Sequence, residues 1–324
     1  MLPALTDYSV VIATLGGRDS LQRCLAALAA QTRPPLEVIL VVPGGAVSDP
    51  SFLDGGRDVR VLDGPRSMTG QRNVGARAAR GDVVLFLDDD IMLEPDYGAE
   101  LMSVWERRGL DRIAGVVGVC VNEDFFAYGS GSVKRALRAF AGLGHKAFRA
   151  KGSRRMASGH VAVVSRPEDE QDVEFAQGAF SSYRKDLLIV EPFDETFDGY
   201  VFGEDLDMSA RMSSRAPIVH TPRARCFHEN VSAGLRELGT ADEAFRRGRM
   251  FAYFRGRHRR PGAVGRLAWE WANATEAATL GVRAVRRRDP EPFRVFVRAL
   301  GETRRQLRDE EGTRPPGLTG SERS

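Results

Sequence analysis

Val83-Val84-Leu85-Phe86-Leu87 runs without a break into Asp88-Asp89-Asp90. An unbroken apolar run of this kind, rich in Val and Leu, predicts a strand buried on both faces. Open α/β sheets take ligands at the carboxyl ends of their strands, which is where the three aspartates fall. Carboxylates that close repel one another unless a cation sits among them. A hard divalent ion such as Mg²⁺ or Mn²⁺ suits oxygen ligands and can bridge to phosphates. An acidic, solvated turn capping a helix is the plain alternative for these residues taken alone.

Outward from this stretch, strands alternate with helices. Tyr8–Ala13 and Glu37–Val42 are apolar strands, and Val59–Leu62 is a short third one. Ile113–Val121 is another. Between them, Asp19–Gln31 carries Leu21, Leu25 and Leu28 on one helical face, Ser67–Arg80 reads as a helix stopped near Gly81, and a further helix runs from about Pro95 to Arg108. This alternation predicts parallel β-α-β units in a three-layer α/β/α sandwich. Asn122–Glu174 reads as an irregular, partly helical insertion of the kind that carries specificity. Order resumes at Phe175–Tyr183, continues as a helix over Leu206–Arg215, and then as a short strand from Pro222 that ends at His228. Two amphipathic helices follow, one presenting Leu267, Ala268, Trp271, Ala274, Ala278 and Val282, the other Phe293, Phe296, Val297 and Leu300. Three regions are expected: a catalytic domain over 1–233 (with halves about 1–121 and 122–233), basic helices over 234–310, and a disordered tail over 311–324.

Charge is unevenly spread along the 324 residues, whose net charge is +3. Residues 234–324 hold 20 Arg against 12 acidic residues, a balance of +8, which leaves −5 for the rest. Arg246, Arg247, Arg249, Arg255, Arg257, Arg259 and Arg260 cluster near Phe251, Tyr253 and Phe254. Such a mixture can rest on an anionic membrane leaflet, or the aromatics can pack inward while the arginines stay solvated. It lacks the interleaved pattern of a nucleic-acid reader. Cys24, Cys120 and Cys226 show no metal or disulfide spacing, as expected of buried thiols in a reducing cytoplasm. No apolar run is long enough to span a bilayer, and Thr6 and Asp7 interrupt any leader-like start. A cytoplasmic location follows, with peripheral attachment to the inner membrane face left open.

Three further segments sharpen the reading. In Gly203-Glu204-Asp205-Leu206-Asp207, two carboxylates precede a helix, so that one can cap it while the other faces a cleft and accepts a proton. In Gly70-Gln71-Arg72-Asn73-Val74-Gly75, Arg72 and Asn73 can reach phosphate or ribose oxygens. His228 can ligate a metal through a ring nitrogen, whereas the nearby His220 reads as a satisfied structural histidine.

The order of these pieces resembles the GT-A glycosyltransferases, specifically glycosyltransferase family 2. The likeness runs through S-V-V-I-A-T, R-N-V-G-A-R-A-A-R-G-D, F-L-D-D-D, Q-G-A-F-S-S-Y-R-K-D, F-G-E-D-L-D-M-S-A-R-M and C-F-H, covering most of Ser9 to His228. It implies a GT-A (Rossmann-like) sandwich with a mostly parallel sheet, followed by C-terminal helices. It also implies transfer of one sugar from a nucleotide-diphospho-sugar to an acceptor hydroxyl, with inversion. On this resemblance Asp88 and Asp90, the ends of D-x-D, hold Mn²⁺ or Mg²⁺ on the donor diphosphate with help from His228. Asp205 is the general base and Glu204 its neighbour at the acceptor or sugar hydroxyls. Ala13, Thr14 and Leu15 line the nucleotide pocket, and Asp89, Arg72 and Asn73 adjoin the donor. The implied partners are a UDP, GDP or dTDP sugar and a glycan, lipid-linked or small-molecule acceptor.

Two departures qualify the likeness. Relatives commonly carry a base-reading Asp just after the second strand, but here the turn is Val42-Pro43-Gly44-Gly45. Proline offers neither a side-chain acceptor nor an N–H. Arg18 and Asp63 are the remaining candidates for nucleotide contacts. The Q-x-x-R-W motif of processive synthases is absent, which favours single addition. A sugar nucleotidyltransferase and a non-catalytic nucleotide-sugar-binding module are the competing readings. A dehydrogenase is disfavoured, because no G-x-G-x-x-G follows the first strand.

Overall fold

The computed structural model describes residues 7–16, 19–45, 47, 58–122, 153–155, 161–162, 164, 166–195, 203–229 and 263–313. The chain forms two compact units, residues 1–156 with 160–236, and residues 237–324 with 157–159. The expected boundary near residue 233, Arg18 and the arginine cluster at 246–260 lie outside the described residues.

The first unit opens with β1 (Tyr8–Ala13), α1 (Asp19–Ala29), β2 (Glu37–Val42), β3 (Val59–Asp63), α2 (Met68–Ala78) and β4 (Val83–Asp88). It continues with β5 (Ile91–Leu93), α3 (Tyr97–Arg108), β6 (Gly115–Cys120), β7 (Arg154–Arg155), β8 (Val161–Ala162) and β9 (Gln171–Val173). β10 (Ser181–Arg184), α4 (Lys185–Val190), α5 (Glu204–Arg215) and β11 (Ile218–His228) complete it. Nine strands form one sheet in the order β3-β2-β1-β4-β10-β6-β11-β5, with β9 paired to β11. β3, β2, β1 and β4 are mutually parallel, and β11 is parallel to β6. β10 runs antiparallel between β4 and β6, and β5 and β9 run antiparallel to β11.

Burial follows the apolar runs. Every residue of β2 is buried, as are Val83 to Leu87 of β4. The parallel register sets Ala13 beside Asp88 and Val42 beside Asp63, so the carboxyl ends of β1 to β4 share one edge. Helix α2 lies close on β1, where a methyl group at Gly75 would come 2.2 Å from Val11 Cγ1, inside any real contact distance. The α2 start is capped by Ser67, whose Oγ accepts from Gly70 N–H at 3.4 Å. The polar strand β10 is buried by pairing: Trp105 Nε1 donates to Ser182 Oγ at 3.0 Å, and Ser182 Oγ donates to the Val116 carbonyl at 2.9 Å. All three cysteines are buried, and none is in a disulfide.

The second unit contains α6 (Ala263–Arg287) and α7 (Glu291–Thr313), so the helical chain extends into the segment expected to be a tail. The helices meet through Ala277, Leu280, Phe296 and Leu300. The face expected to pack instead looks outward, with Leu267, Trp271 and Val282 at 71, 43 and 54% exposure. Ala277 and Leu280 lie on a different stripe of α6, and that stripe meets the larger apolar side chains of α7. No helix among the described residues is long and apolar enough to cross a membrane.

Candidate active site

The common edge of β1 to β4 carries the first part of the site. Asp88 ends β4, and its Oδ1 accepts from Arg72 Nη2 at 2.9 Å. Arg72 rises from the first half of α2 and is 2% exposed. Its Nη1 reaches Glu204 Oε1 at 3.4 Å, and its guanidinium lies 5.4 Å from the centroid of the Phe193 ring. One buried cation therefore joins the end of β4 to the start of α5. The Phe193 ring covers the cation face and limits its access to water.

Helix α5 begins after Gly203, which sits at φ +119° where a side chain would be strained. Glu204 and Asp205 occupy its first turn, where the helix dipole favours negative charge. Asp205 Oδ2 accepts from Gly178 N–H at 3.4 Å, and Oδ1 accepts from Leu206 N–H at 2.8 Å. A methyl group at Gly178 would lie 2.9 Å from Arg72 Nη1 and 3.2 Å from Asp205 Cβ, so any side chain here would crowd the bridge. Burial, reinforced by Asp205, pushes the Glu204 carboxyl above the usual carboxylate range, with Arg72 pulling the other way. Burial raises Asp205 as well, opposed by Arg72 and by the N–H groups of Gly178 and Leu206. The two titrate as a pair that keeps a proton to higher pH than isolated carboxylates.

The other end of the acidic run is held by β11. Antiparallel pairing of β5 with β11 sets Ile91 opposite His228. Asp90 Oδ1 then lies 3.1 Å from His228 Nε2. Asn122 pins this strand end by accepting from His228 N–H at 2.9 Å and donating to the His228 carbonyl at 2.7 Å. Among the described residues, no three His, Cys, Asp or Glu side chains converge as a metal cage. Asp90 and His228 nevertheless pair a hard oxygen donor with a ring nitrogen. Such a pair would suit a divalent ion, for which these two side chains would be the protein ligands.

A family model described as "Glycosyl transferase family 2" matches residues 9–187, more than half of the chain. The chain belongs to that family. A glucosyl-dolichyl phosphate glucuronosyltransferase of Haloferax volcanii is 34% identical over 105 residues, 30% of this chain and 34% of that one. The putative glycosyltransferase EpsH of Bacillus subtilis is 28% identical over 99 residues, 29% of each chain. The chain thus matches about a third of the length of these curated relatives. Among solved structures, the mannosyltransferase PcManGT of Pyrobaculum calidifontis, in complex with GDP-Man and Mn²⁺, superposes with a TM-score of 0.54 at 14% identity, over 95% of this chain and 89% of that one. TarS 1-349 of S. aureus, in complex with UDP-GlcNAc, gives 0.53 at 14% identity over 93% and 81%. At that identity the likeness shows the fold, which is GT-A.

Within this family 2 chain, the candidate residues divide by what their side chains touch. Thr14 is buried, donates from Oγ1 to Asp89 Oδ2 at 2.6 Å, and accepts from Gly16 N–H at 3.1 Å. Asp89 thereby ties the triple aspartate to the loop after β1, where Leu15 is 58% exposed. Asn73 is turned into the fold: it donates from Nδ2 to the Phe193 carbonyl and Glu195 Oε1, both at 2.9 Å, and accepts from Phe193 N–H at 2.8 Å. Both of its N–H groups are engaged there, so Asn73 positions Phe193 under Arg72. His220, read from sequence as a structural histidine, is buried with its ring against the Gly118 backbone, and burial pushes its pKa down to about 4. Sequence spacing missed Gly178 and Gln71. Gln71 Nε2 donates to the carbonyls of Thr14 at 2.9 Å and Val41 at 2.7 Å, joining the ends of β1 and β2. Its place beside Arg72 in α2, facing that edge, was the available signal.

Proposed function

We propose that the protein moves one sugar from a nucleotide-diphospho-sugar to an acceptor hydroxyl in a single displacement that inverts the anomeric centre. The observation that carries this reading is the Asp88–Arg72–Glu204 bridge, which joins the aspartates of the nucleotide edge to the Glu204–Asp205 pair. The nucleotide sugars held by PcManGT and TarS support the donor class.

Asp90 and His228 would hold Mn²⁺ or Mg²⁺, which when bound supplies Lewis-acid compensation for charge on the leaving diphosphate. Asp205 takes the acceptor proton at its carboxylate, whose two oxygens the Gly178 and Leu206 N–H groups orient separately. Glu204, held by Arg72, sits beside it to receive a hydroxyl hydrogen bond. The transition state has oxocarbenium character, as in glycoside hydrolysis. Asp90→Ala is expected to weaken Mn²⁺-dependent nucleoside diphosphate binding about 10- to 100-fold in calorimetry; unchanged affinity would remove Asp90 from the metal site. Release of free nucleoside diphosphate from a panel of nucleotide-sugars, dependent on acceptor, separates transfer from nucleotidyl transfer and from binding alone.

The acceptor we infer is lipid-linked, presented at an anionic inner leaflet. Supporting this, the outward stripe of α6 ends with Val282 and Val285, 54 and 81% exposed, beside exposed Arg283, Arg286 and Arg287. Val282→Asp/Val285→Asp is expected to abolish co-flotation with vesicles containing phosphatidylserine. Wild-type protein that stays at the bottom of the gradient would retire the membrane contact.

A further inference from the structure

Gly178 N–H reaches Asp205 Oδ2 at 3.4 Å from the segment just before β10, outside the helix that carries the carboxylate. A hydrogen bond between two elements lasts only if something holds them in register. Ser209 lies four residues after Asp205 in α5, so the two side chains share one helical face. Ser209 Oγ accepts from Ala176 N–H and donates to the Ala176 carbonyl, both at 3.0 Å. The Tyr183 hydroxyl of β10 lies 3.3 Å from the same Oγ. A serine hydroxyl has one hydrogen and two lone pairs. With its hydrogen on the Ala176 carbonyl, Ser209 takes Tyr183 as a second donor. Burial pushes that phenol up to about 12, so it keeps its proton. The hydroxyl is thus fully used inside the core, where Ser209 and Ala176 are 0 and 1% exposed. Farther along, Ser181 Oγ donates to the Gln177 carbonyl, and the Tyr97 hydroxyl donates to the Phe180 carbonyl at 2.5 Å. Those bonds steady the segment against β10 and α3, and Ser209 ties it to α5.

We propose that Ser209 is a positioning residue for the base: it fixes Ala176 against α5 and so sets Gly178 N–H, two residues on, against Asp205 Oδ2. The proposal rests on the sugar-transfer reading above. Ser209 touches no substrate and moves no proton. It acts through Gly178 N–H, which favours the charged form of Asp205 and, with Arg72 and Leu206 N–H, opposes the effect of burial. Glu204 on α5, Arg72 on α2 and Tyr183 on β10 also face this carboxylate. None of the three is removed when Ser209 is replaced, so a change at Asp205 reports the Gly178 contact. Without that N–H the charged form is less favoured, and Asp205 holds its proton to higher pH.

The test is carbon-13 NMR of the full chain labelled at its aspartate carboxyls, with the Asp205 signal assigned by Asp205→Asn. Ser209→Ala strips Ala176 and Tyr183 of their partner and frees Gly178 from the helix. The Asp205 midpoint should rise by roughly 0.5–1 pH unit, less than a short hydrogen bond to a carboxylate would give, because the contact is 3.4 Å long. Release of nucleoside diphosphate from UDP-, GDP- and dTDP-sugars should fall about tenfold in kcat, below the roughly 10²-fold cost of a 1 Å misplacement. Calorimetric affinity for the nucleoside diphosphate with Mn²⁺ should not change. Ser209→Cys keeps the shape and a weaker S–H donor, so its midpoint should move the same way by less. If the Ala variant does not fold, the Cys variant decides. A midpoint that stays at the wild-type value while the melting temperature falls overturns the proposal and leaves Ser209 a packing residue. Wild type that releases no nucleoside diphosphate overturns the transfer reading and the catalytic purpose of the clamp, whereas a moved midpoint would still place Asp205 under the control of Ser209.

Discussion

Asp205→Asn is expected to lower kcat by about 10²- to 10⁴-fold, the range for losing a positioned general base, with nucleotide affinity little changed. The amide retains one oxygen, which keeps the shorter bond from Leu206 N–H, while the Gly178 N–H loses its acceptor. What disappears is the group that can take the acceptor proton. Because burial raises both Asp205 and Glu204, the acid limb of kcat/KM in the wild type should lie above the ordinary carboxylate range. Activity rises with pH as the pair loses its proton, and the Asn variant should lack that limb. Stability runs the other way. A carboxyl raised in the folded state contributes stability that is full below its unfolded pKa and is lost as pH rises through the folded one. The Asn variant, free of that loss, should melt no lower than wild type at neutral pH and above. Single-turnover assays across pH, paired with melts, check both parts. Normal turnover, or a preserved acid limb in the variant, would assign the base elsewhere.

Arg72→Met should be the most destabilising single change at the site. It removes one cation from two carboxylates and leaves Glu204 at 10% side-chain exposure without its counter-charge. Breaking a buried pair in this way costs about 3–5 kcal/mol. The lower end applies, because the Asp88 side chain is 31% exposed and recovers hydration, while Glu204 can keep a proton. A loss of about 3 kcal/mol corresponds to a melting temperature lower by roughly 6–12 °C. The deficit should shrink as pH falls and the carboxylates protonate. Arg72→Lys keeps the charge but loses the fork that reaches both partners, so it should recover only part of the stability. A Met variant melting within 2 °C of wild type at neutral pH would show that Arg72 is not the bridge.

β1, β2, β4 and β6 were legible because each carries an apolar run, β3 only as a short Val-Arg-Val-Leu stretch, and helix α1 because its leucines recur at helical spacing. β5, β9 and β10 were not. Ser181-Ser182-Tyr183-Arg184 has no apolar signature, and it becomes a buried strand only through pairing with β4 and β6. β11 begins at Ile218, earlier than its sequence signals, since Pro222 and the arginines around it obscure the alternation. In α6, periodicity found a true apolar stripe, but the partner helix took another one.

At the site, local sequence determined which chemistry is present: carboxylates at a strand end, a carboxylate pair at a helix start, a histidine closing a strand. Periodicity and residue type are local properties, and they place such groups on elements. Which groups meet is decided by sheet order and register, which bring together residues far apart in the chain. Arg72 joins Asp88, sixteen residues away, to Glu204, 132 residues away. Asp90 meets His228 because β5 pairs antiparallel with β11. Asp63 reaches the Pro43-Gly44-Gly45 turn because β3 lies parallel to β2 in that register. Burial of these pairs, and the shifts in proton affinity that follow, exist only once the sheet has closed around them.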